Sequence, residues 1–110
     1  MYIIAKKEGD RRMTFLVMYD IEDNDTRNHV AKYLIRQGCQ RIQNSIFMAN
    51  LKHERYISIR NSLRAVQAAY DNSDSYIIIP LSSDEVANMS VFGRQLNMPL
   101  IMGNVSTMVF

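Results

Sequence analysis

Apolar residues fill nearly every position of the run Met13-Thr14-Phe15-Leu16-Val17-Met18-Tyr19-Asp20-Ile21. Both alternating sets are apolar and β-forming types dominate, so this pattern predicts a strand over 13–21 that is buried on both faces. Glu22-Asp23-Asn24-Asp25-Thr26 follows, a cluster of helix-capping types. Beyond it Val30, Ala31, Leu34 and Ile35 recur at helical spacing up to Gly38, a residue suited to a left-handed cap. Residues 40–50 read as extended, as two short strands bent near Ser45. A second helix is predicted to start near Asn50 to Lys52, with Tyr56, Ile59, Leu63, Val66 and Tyr70 as one core-facing stripe and Arg60, Arg64 and Gln67 on another side. Asp71-Asn72-Ser73 ends it. Tyr76 to Leu81 reads as a buried strand closed by Pro80, Ser83 to Asn88 as a short helical turn, and Val91-Phe92 as a further strand.

The order strand, helix, two strands, helix, strand matches a ferredoxin-like βαββαβ sandwich, an α+β fold with both helices on one face of an antiparallel sheet. Two helices cover only one face, yet the strands at 13–21 and 76–81 are apolar on both. The uncovered face is therefore expected to meet a second copy, giving a homodimer. The domain is expected over 13–93, with an extension at 1–12 and a tail at 94–110. Met13 offers a second candidate start. The tail is apolar, broken by Pro99 and Gly103, and suits either packing in its own chain or adding a strand to a partner.

At 110 residues the chain has room for one core. It is 47% hydrophobic and 22% charged, too apolar for disorder. No apolar run reaches the roughly 20 residues that span a bilayer. The basic residues of Met1-Tyr2-Ile3-Ile4-Ala5-Lys6-Lys7 follow the apolar ones, the wrong order for a secretory signal. Cys39 is the only cysteine, which rules out an intrachain disulfide and suits a reducing compartment, hence the expectation of a cytoplasmic location.

A net charge of +2 discriminates little, but its distribution does more. Residues 24–70 carry eight basic side chains against two acidic ones, a balance of +6, while the remainder carries −4. Such a basic middle fits a phosphate backbone as well as it fits two solvated helix faces.

Asp20, Glu22, Asp23 and Asp25 crowd one strand end. Hard oxygen ligands there suit Mg²⁺, with Mn²⁺ as the alternative ion, and a bound metal activates water against a phosphodiester. Capping and solvation account better for Glu22, Asp23 and Asp25. Asp20 ends the apolar strand and is the candidate ligand and catalytic residue. Arg27, in the first helical turn, suits either phosphate or an aspartate partner. Tyr19 and Phe47 suit base stacking, with core packing the better account of an aromatic in a strand. Cys39 reads as a small buried hydrophobe. His29 and His53 share no zinc spacing with it, and neither a phosphate-binding glycine loop nor a nucleophile elbow is present.

The run Leu16-Val17-Met18-Tyr19-Asp20-Ile21-Glu22-Asp23, followed by Arg27 and Val30-Ala31-Lys32-Tyr33-Leu34, resembles the CRISPR-associated protein 2 family. Arg41-Ile42-Gln43-Asn44-Ser45-Ile46-Phe47 resembles that family's Gln-x-Ser-Val-Phe element, with Ile46 in place of valine. Tyr76 to Leu81 and Val91-Phe92-Gly93 resemble its last core strand and the segment after it. The resemblance implies a ferredoxin-like homodimer that works with the CRISPR integrase, CRISPR-associated protein 1, in spacer acquisition. It also implies a Mg²⁺-dependent endonuclease, chiefly on single-stranded RNA and in some members on double-stranded DNA. The family's metal-binding aspartate falls on Asp20. Tyr19, Arg27, Arg41, Ser45 and Phe47 fall on other motif positions near the dimer cleft. His29 stands where many members have a second basic residue, which weakens phosphate binding there at neutral pH.

Three functions remain open from the residues together with the resemblance. One is a structural subunit that bridges integrase copies and holds a DNA duplex through Arg60 and Arg64. Another is a nuclease whose paired Asp20 carboxylates hold Mg²⁺. The third is a toxin-type ferredoxin-like ribonuclease.

Overall fold

Residues 11–69 and 73–93 are described by the computed structural model. Strand β1 spans Arg12–Asp20, helix α1 Asn24–Gln37, β2 Gln40–Gln43, β3 Ile46–Lys52, α2 His53–Ala69, β4 Ser75–Leu81 and α3 Ser83–Ala87. The sheet order is β2-β3-β1-β4, with every neighbouring pair antiparallel. This is the expected ferredoxin-like α+β architecture.

Local chemistry explains the boundaries. Asp23 caps α1, its carboxylate accepting from the Thr26 backbone N–H at 2.8 Å. Gly38 ends the helix at φ 105°, where an added Cβ would meet Leu51 Cδ2 at 3.1 Å. The bend near Ser45 is the turn of the β2–β3 hairpin.

Alternation along β1 sends Phe15, Val17 and Tyr19 under the two long helices, where they pack with Val30, Ala31, Leu34, Phe47, Ala49, Tyr56, Ile59 and Leu63. A separate cluster forms on the opposite face. There Ile42, Met48 and Val86 are buried, with Leu16, Ile46, Leu81 and Met89 packed around them. The small helix α3 lies on that face. Ser82 caps it in a reciprocal box with Glu85, in which each side chain accepts from the other residue's backbone N–H.

Several expectations need correction. β1 begins at Arg12 instead of Met13, and α2 begins at His53 instead of Asn50 to Lys52. Residues 50–52 stay extended because they pair with Thr14, Met13 and Arg12, and the Asn50 amide donates to Thr14 Oγ1 at 2.8 Å. Ile35 is 51% exposed, because consecutive helical positions diverge by about 100° and Leu34 takes the inward one. β4 is half-buried, Pro80 sits inside it opposite Phe15, and Leu81 ends it. Val91 and Phe92 form no strand, and Phe92 is 90% exposed. The extension up to residue 10, Tyr70 to Asn72 and the tail 94–110 lie outside the described residues. Among those described, no helix is long and apolar enough to cross a membrane.

Candidate functional site

Asp20 ends β1 opposite Ser75 of β4. It is exposed, not buried as its strand position suggested, and alternation puts it on the same face as Leu16 and Met18, away from α1 and α2. An open cleft of about 470 Å³ lies at this strand end, lined by Asp20, Ile21, Arg27, Arg41, Asn44 and Ser45. Four of the predicted residues are thus brought together: Asp20, Arg27, Arg41 and Ser45.

Two turns wall this cleft, and an arginine braces each. Arg27 Nη1 donates to the carbonyls of Ile21 at 3.0 Å and Glu22 at 3.5 Å, and its Nη2 donates to Asn24 Oδ1. Its side-chain hydrogen bonds therefore go to turn carbonyls and an amide, and none goes to an aspartate. Arg41 Nη2 donates to the Asn44 carbonyl at 3.1 Å, and its guanidinium stands 5.2 Å from the Phe47 ring centroid. The Asn44 carbonyl also accepts from the Tyr19 hydroxyl at 3.3 Å, while the Tyr19 N–H donates to the Ser45 carbonyl at 3.1 Å.

Tyr19 and Phe47 are both buried, with ring centroids 6.0 Å apart. Core packing describes them, and neither ring offers a face for a base. Asp23 is the helix cap: the hydrogen bonds from the Thr26 backbone and hydroxyl hold its carboxyl below its ordinary value of 3.8. His29 Nδ1 lies 2.8 Å from the Asp25 carbonyl, which can only accept, so Nδ1 carries the proton. Cys39 is buried, and burial pushes its thiol up to about 12, as suits a packing residue and not a nucleophile.

Arg60 and Arg64 are not in the Asp20 cleft. They line a second one of about 430 Å³ between α2 and β4, together with Leu63, Gln67, Asp74, Ser75, Tyr76 and Ile78. Sequence reasoning did not single out Asn24, Asn44, Asp74 or Tyr76. The first two are turn residues whose partners follow only from the fold, and Tyr76 carries no signal beyond that of a strand aromatic.

The donor set for a metal is small. Among the described residues no group of three or more His, Cys, Asp or Glu side chains could hold an ion. One carboxylate meets the lower end of what Mg²⁺ takes from protein, and a second chain's Asp20 would meet the upper end.

The family model described as CRISPR associated protein Cas2 matches residues 13–89. A protein of Francisella tularensis subsp. novicida named CRISPR-associated endoribonuclease Cas2 1 is 37% identical over 62 residues, covering 56% of this chain and 57% of that one. One of the same name from Archaeoglobus fulgidus is 39% identical over 70 residues, covering 63% and 71%. The match thus spans little more than half of the Francisella relative. The crystal structure of Streptococcus pyogenes Cas2 at pH 6.5 superposes with a TM-score of 0.59 at 28% identity, covering 74% of this chain and all of that one. A hypothetical protein from Thermus thermophilus superposes with a TM-score of 0.61 at 25% identity, covering 76% and 94%. With the family model spanning well over half of the chain and two of its curated relatives bearing the same name, the chain belongs to the CRISPR-associated Cas2 family.

Proposed function

We propose that this chain acts as a homodimer in CRISPR adaptation, beside the integrase CRISPR-associated protein 1, and cleaves single-stranded RNA at Asp20. The observation that carries the reading is the placement of Asp20. It stands exposed at the end of the central strand, in a cleft with two guanidiniums, on the face that keeps Ile77 and Ile79 exposed. A second copy closing over that face would bring two Asp20 carboxylates toward one another. The relatives named endoribonuclease support RNA as substrate and cleavage as the reaction.

In this reading the two Asp20 carboxylates hold Mg²⁺, or Mn²⁺ in its place. When bound, such an ion lowers the pKa of a coordinated water and neutralises charge developing on the phosphate. Arg27 and Arg41 keep the two turns in place through their carbonyl bonds and line the cleft where the phosphate would lie. Electrostatic stabilisation of this kind is strongest where the donors are fixed before substrate arrives.

Asp20→Ala is expected to lower Mg²⁺-dependent cleavage by about 100-fold or more, as loss of a preorganised electrostatic group does. The exposed position predicts an unchanged melting temperature. A purified Asp20→Ala protein that cuts RNA at the parent rate would sink the catalytic assignment.

A second reading has its own support. Arg60 and Arg64 lie outside the Asp20 cleft, so a basic surface exists apart from the candidate catalytic group. That arrangement suits a DNA-bridging subunit in which cleavage is dispensable, and spacer integration by the Asp20→Ala protein distinguishes the two. Membership of the Cas2 family favours either reading over a toxin-type ribonuclease.

A further inference from the structure

The cleft between α2 and β4 has features that a bare pair of surface arginines lacks. Arg60 and Arg64 sit four positions apart on one face of α2, and the Arg60 guanidinium rests 5.8 Å from the Tyr56 ring centroid. Gln67 continues the row, and Ser75 and Tyr76 come across from β4. Two guanidiniums and the single Asp74 carboxylate leave a net charge of +1, the complement of one phosphodiester. Leu63 and Ile78 contribute apolar surface.

An independent observation comes from hydrogen bonding. Among the described residues, Tyr76 Oη is the one buried side-chain polar atom with no hydrogen-bond partner. An orphaned buried hydroxyl weakens a fold and calls for a reason, such as a ligand that supplies the acceptor. Burial, and then the neighbouring Asp74, pushes the Tyr76 phenol above its ordinary value, so at neutral pH it stays a donor. A phosphodiester oxygen carries no proton at that pH and can only accept.

The register gives the cleft its place. Ser75, in its lining, is the strand partner of Asp20, which lines the other cleft. The two clefts therefore meet at one residue pair whose Cα atoms are about 5 Å apart. Next along the same strands, Tyr76 pairs with Tyr19, whose hydroxyl donates to the Asn44 carbonyl in the wall of the Asp20 cleft.

We propose that the α2/β4 cleft is a subsite for a nucleic-acid phosphodiester neighbouring the one at Asp20, with Arg60 and Arg64 supplying charge and Gln67 and the Tyr76 hydroxyl supplying neutral donors. This rests on the reading that the chain binds nucleic acid, and it assigns a role to Tyr76. The subsite positions the strand; its residues are not catalytic.

The test is binding of a labelled single-stranded RNA to the purified full chain over a salt series, with melting curves alongside. Tyr76→Phe removes the orphaned hydroxyl, so it should melt no lower than the parent yet bind roughly 10- to 150-fold more weakly, as loss of a hydrogen bond to a charged group does, with the same salt dependence. Arg60→Gln with Arg64→Gln should reduce the slope of log affinity against log salt by about 0.7, the single-strand value for one phosphate. If the parent binds and both variants bind as it does, the subsite is overturned while nucleic-acid binding survives. If the parent binds neither RNA nor duplex DNA, the underlying reading falls and the subsite with it. Inorganic phosphate separates the sources. Should it move the Tyr76 ring signals in an NMR titration without displacing the RNA, the cleft takes free phosphate and its assignment to the backbone is overturned.

Discussion

β1 lends its odd-numbered residues to one face of the sheet and its even-numbered residues to the other, and the two faces end differently. Phe15, Val17 and Tyr19 disappear under helices of 14 and 17 residues. Leu16 and Met18 stay half-buried beside a helix of five, and across the sheet Ile77 is 52% exposed. The side chains on the two faces are similarly apolar. Cover makes the difference, because an apolar residue is removed from water only as far as another element reaches it. The poorly covered face also carries Asp20, so the candidate chemistry and the apolar surface left for a partner share one side of the sheet.

The contrast can be broken most forcefully from inside. Phe15→Ala removes a fully buried ring and should cost about 3–5 kcal/mol in urea unfolding. Ile77→Ala should cost about 1 kcal/mol or less when measured on the monomer. Equal losses would show that the far face is as well packed as the near one.

The next test concerns what closes the far face. Ile77→Asp with Ile79→Asp should shift the sedimenting species from dimer to monomer and move the monomer's melting temperature by only a few degrees. A parent chain that sediments as a monomer at every concentration would remove this face as a dimer surface.

Acid titration should give the smallest effect. Hydrogen bonds from the Ser82 backbone and side chain hold Glu85 below its ordinary value of 4.5, as those from Thr26 hold Asp23 below 3.8. A carboxylate held low stabilises the fold above its unfolded value and loses that contribution as pH falls through its folded value. Both caps are therefore intact from pH 5 upward. Below about pH 4.5 the contribution of the α3 cap should begin to fall, loosening Val86 on the far face. Val86 methyl signals followed by NMR report this, and Glu85→Gln should flatten the response. An unaltered acid limb in that variant would detach the capping box from the stability of α3.

Much of this architecture is legible in the sequence because its signals are local. Period-two and period-3.6 patterns mark the strands and helices, Asp23 and Gly38 bracket α1, and the excess of apolar positions foretells a face that two helices cannot cover. The errors come from long-range partners. Asn50 and Lys52 look like the start of a helix until Thr14 and Arg12 hold them in the sheet. Asp20 could be read as a candidate because a carboxylate ending an apolar strand is unusual by itself. The work of Arg27 could not be read, since its partners are main-chain carbonyls that no side-chain pattern records. Tyr76 was invisible for a related reason: an unpaired hydroxyl is a property of its surroundings.

The Asp20–Ser75 pairing also bears on how the molecule forms. α1 and the β2–β3 hairpin close over short stretches of chain, whereas β1 meets β4 only after a loop of some 55 residues has been closed. Such non-local pairing is entropically costly early and rewarded late, so β4 is expected to dock among the last elements. The α2/β4 cleft takes one side from that final junction, whereas the Asp20 cleft is lined by the end of β1, α1 and the β2–β3 hairpin. A chain halted before it would have the lining of the Asp20 cleft in place and lack only the α2/β4 cleft, so the proposed second subsite would arrive with completed folding and not before.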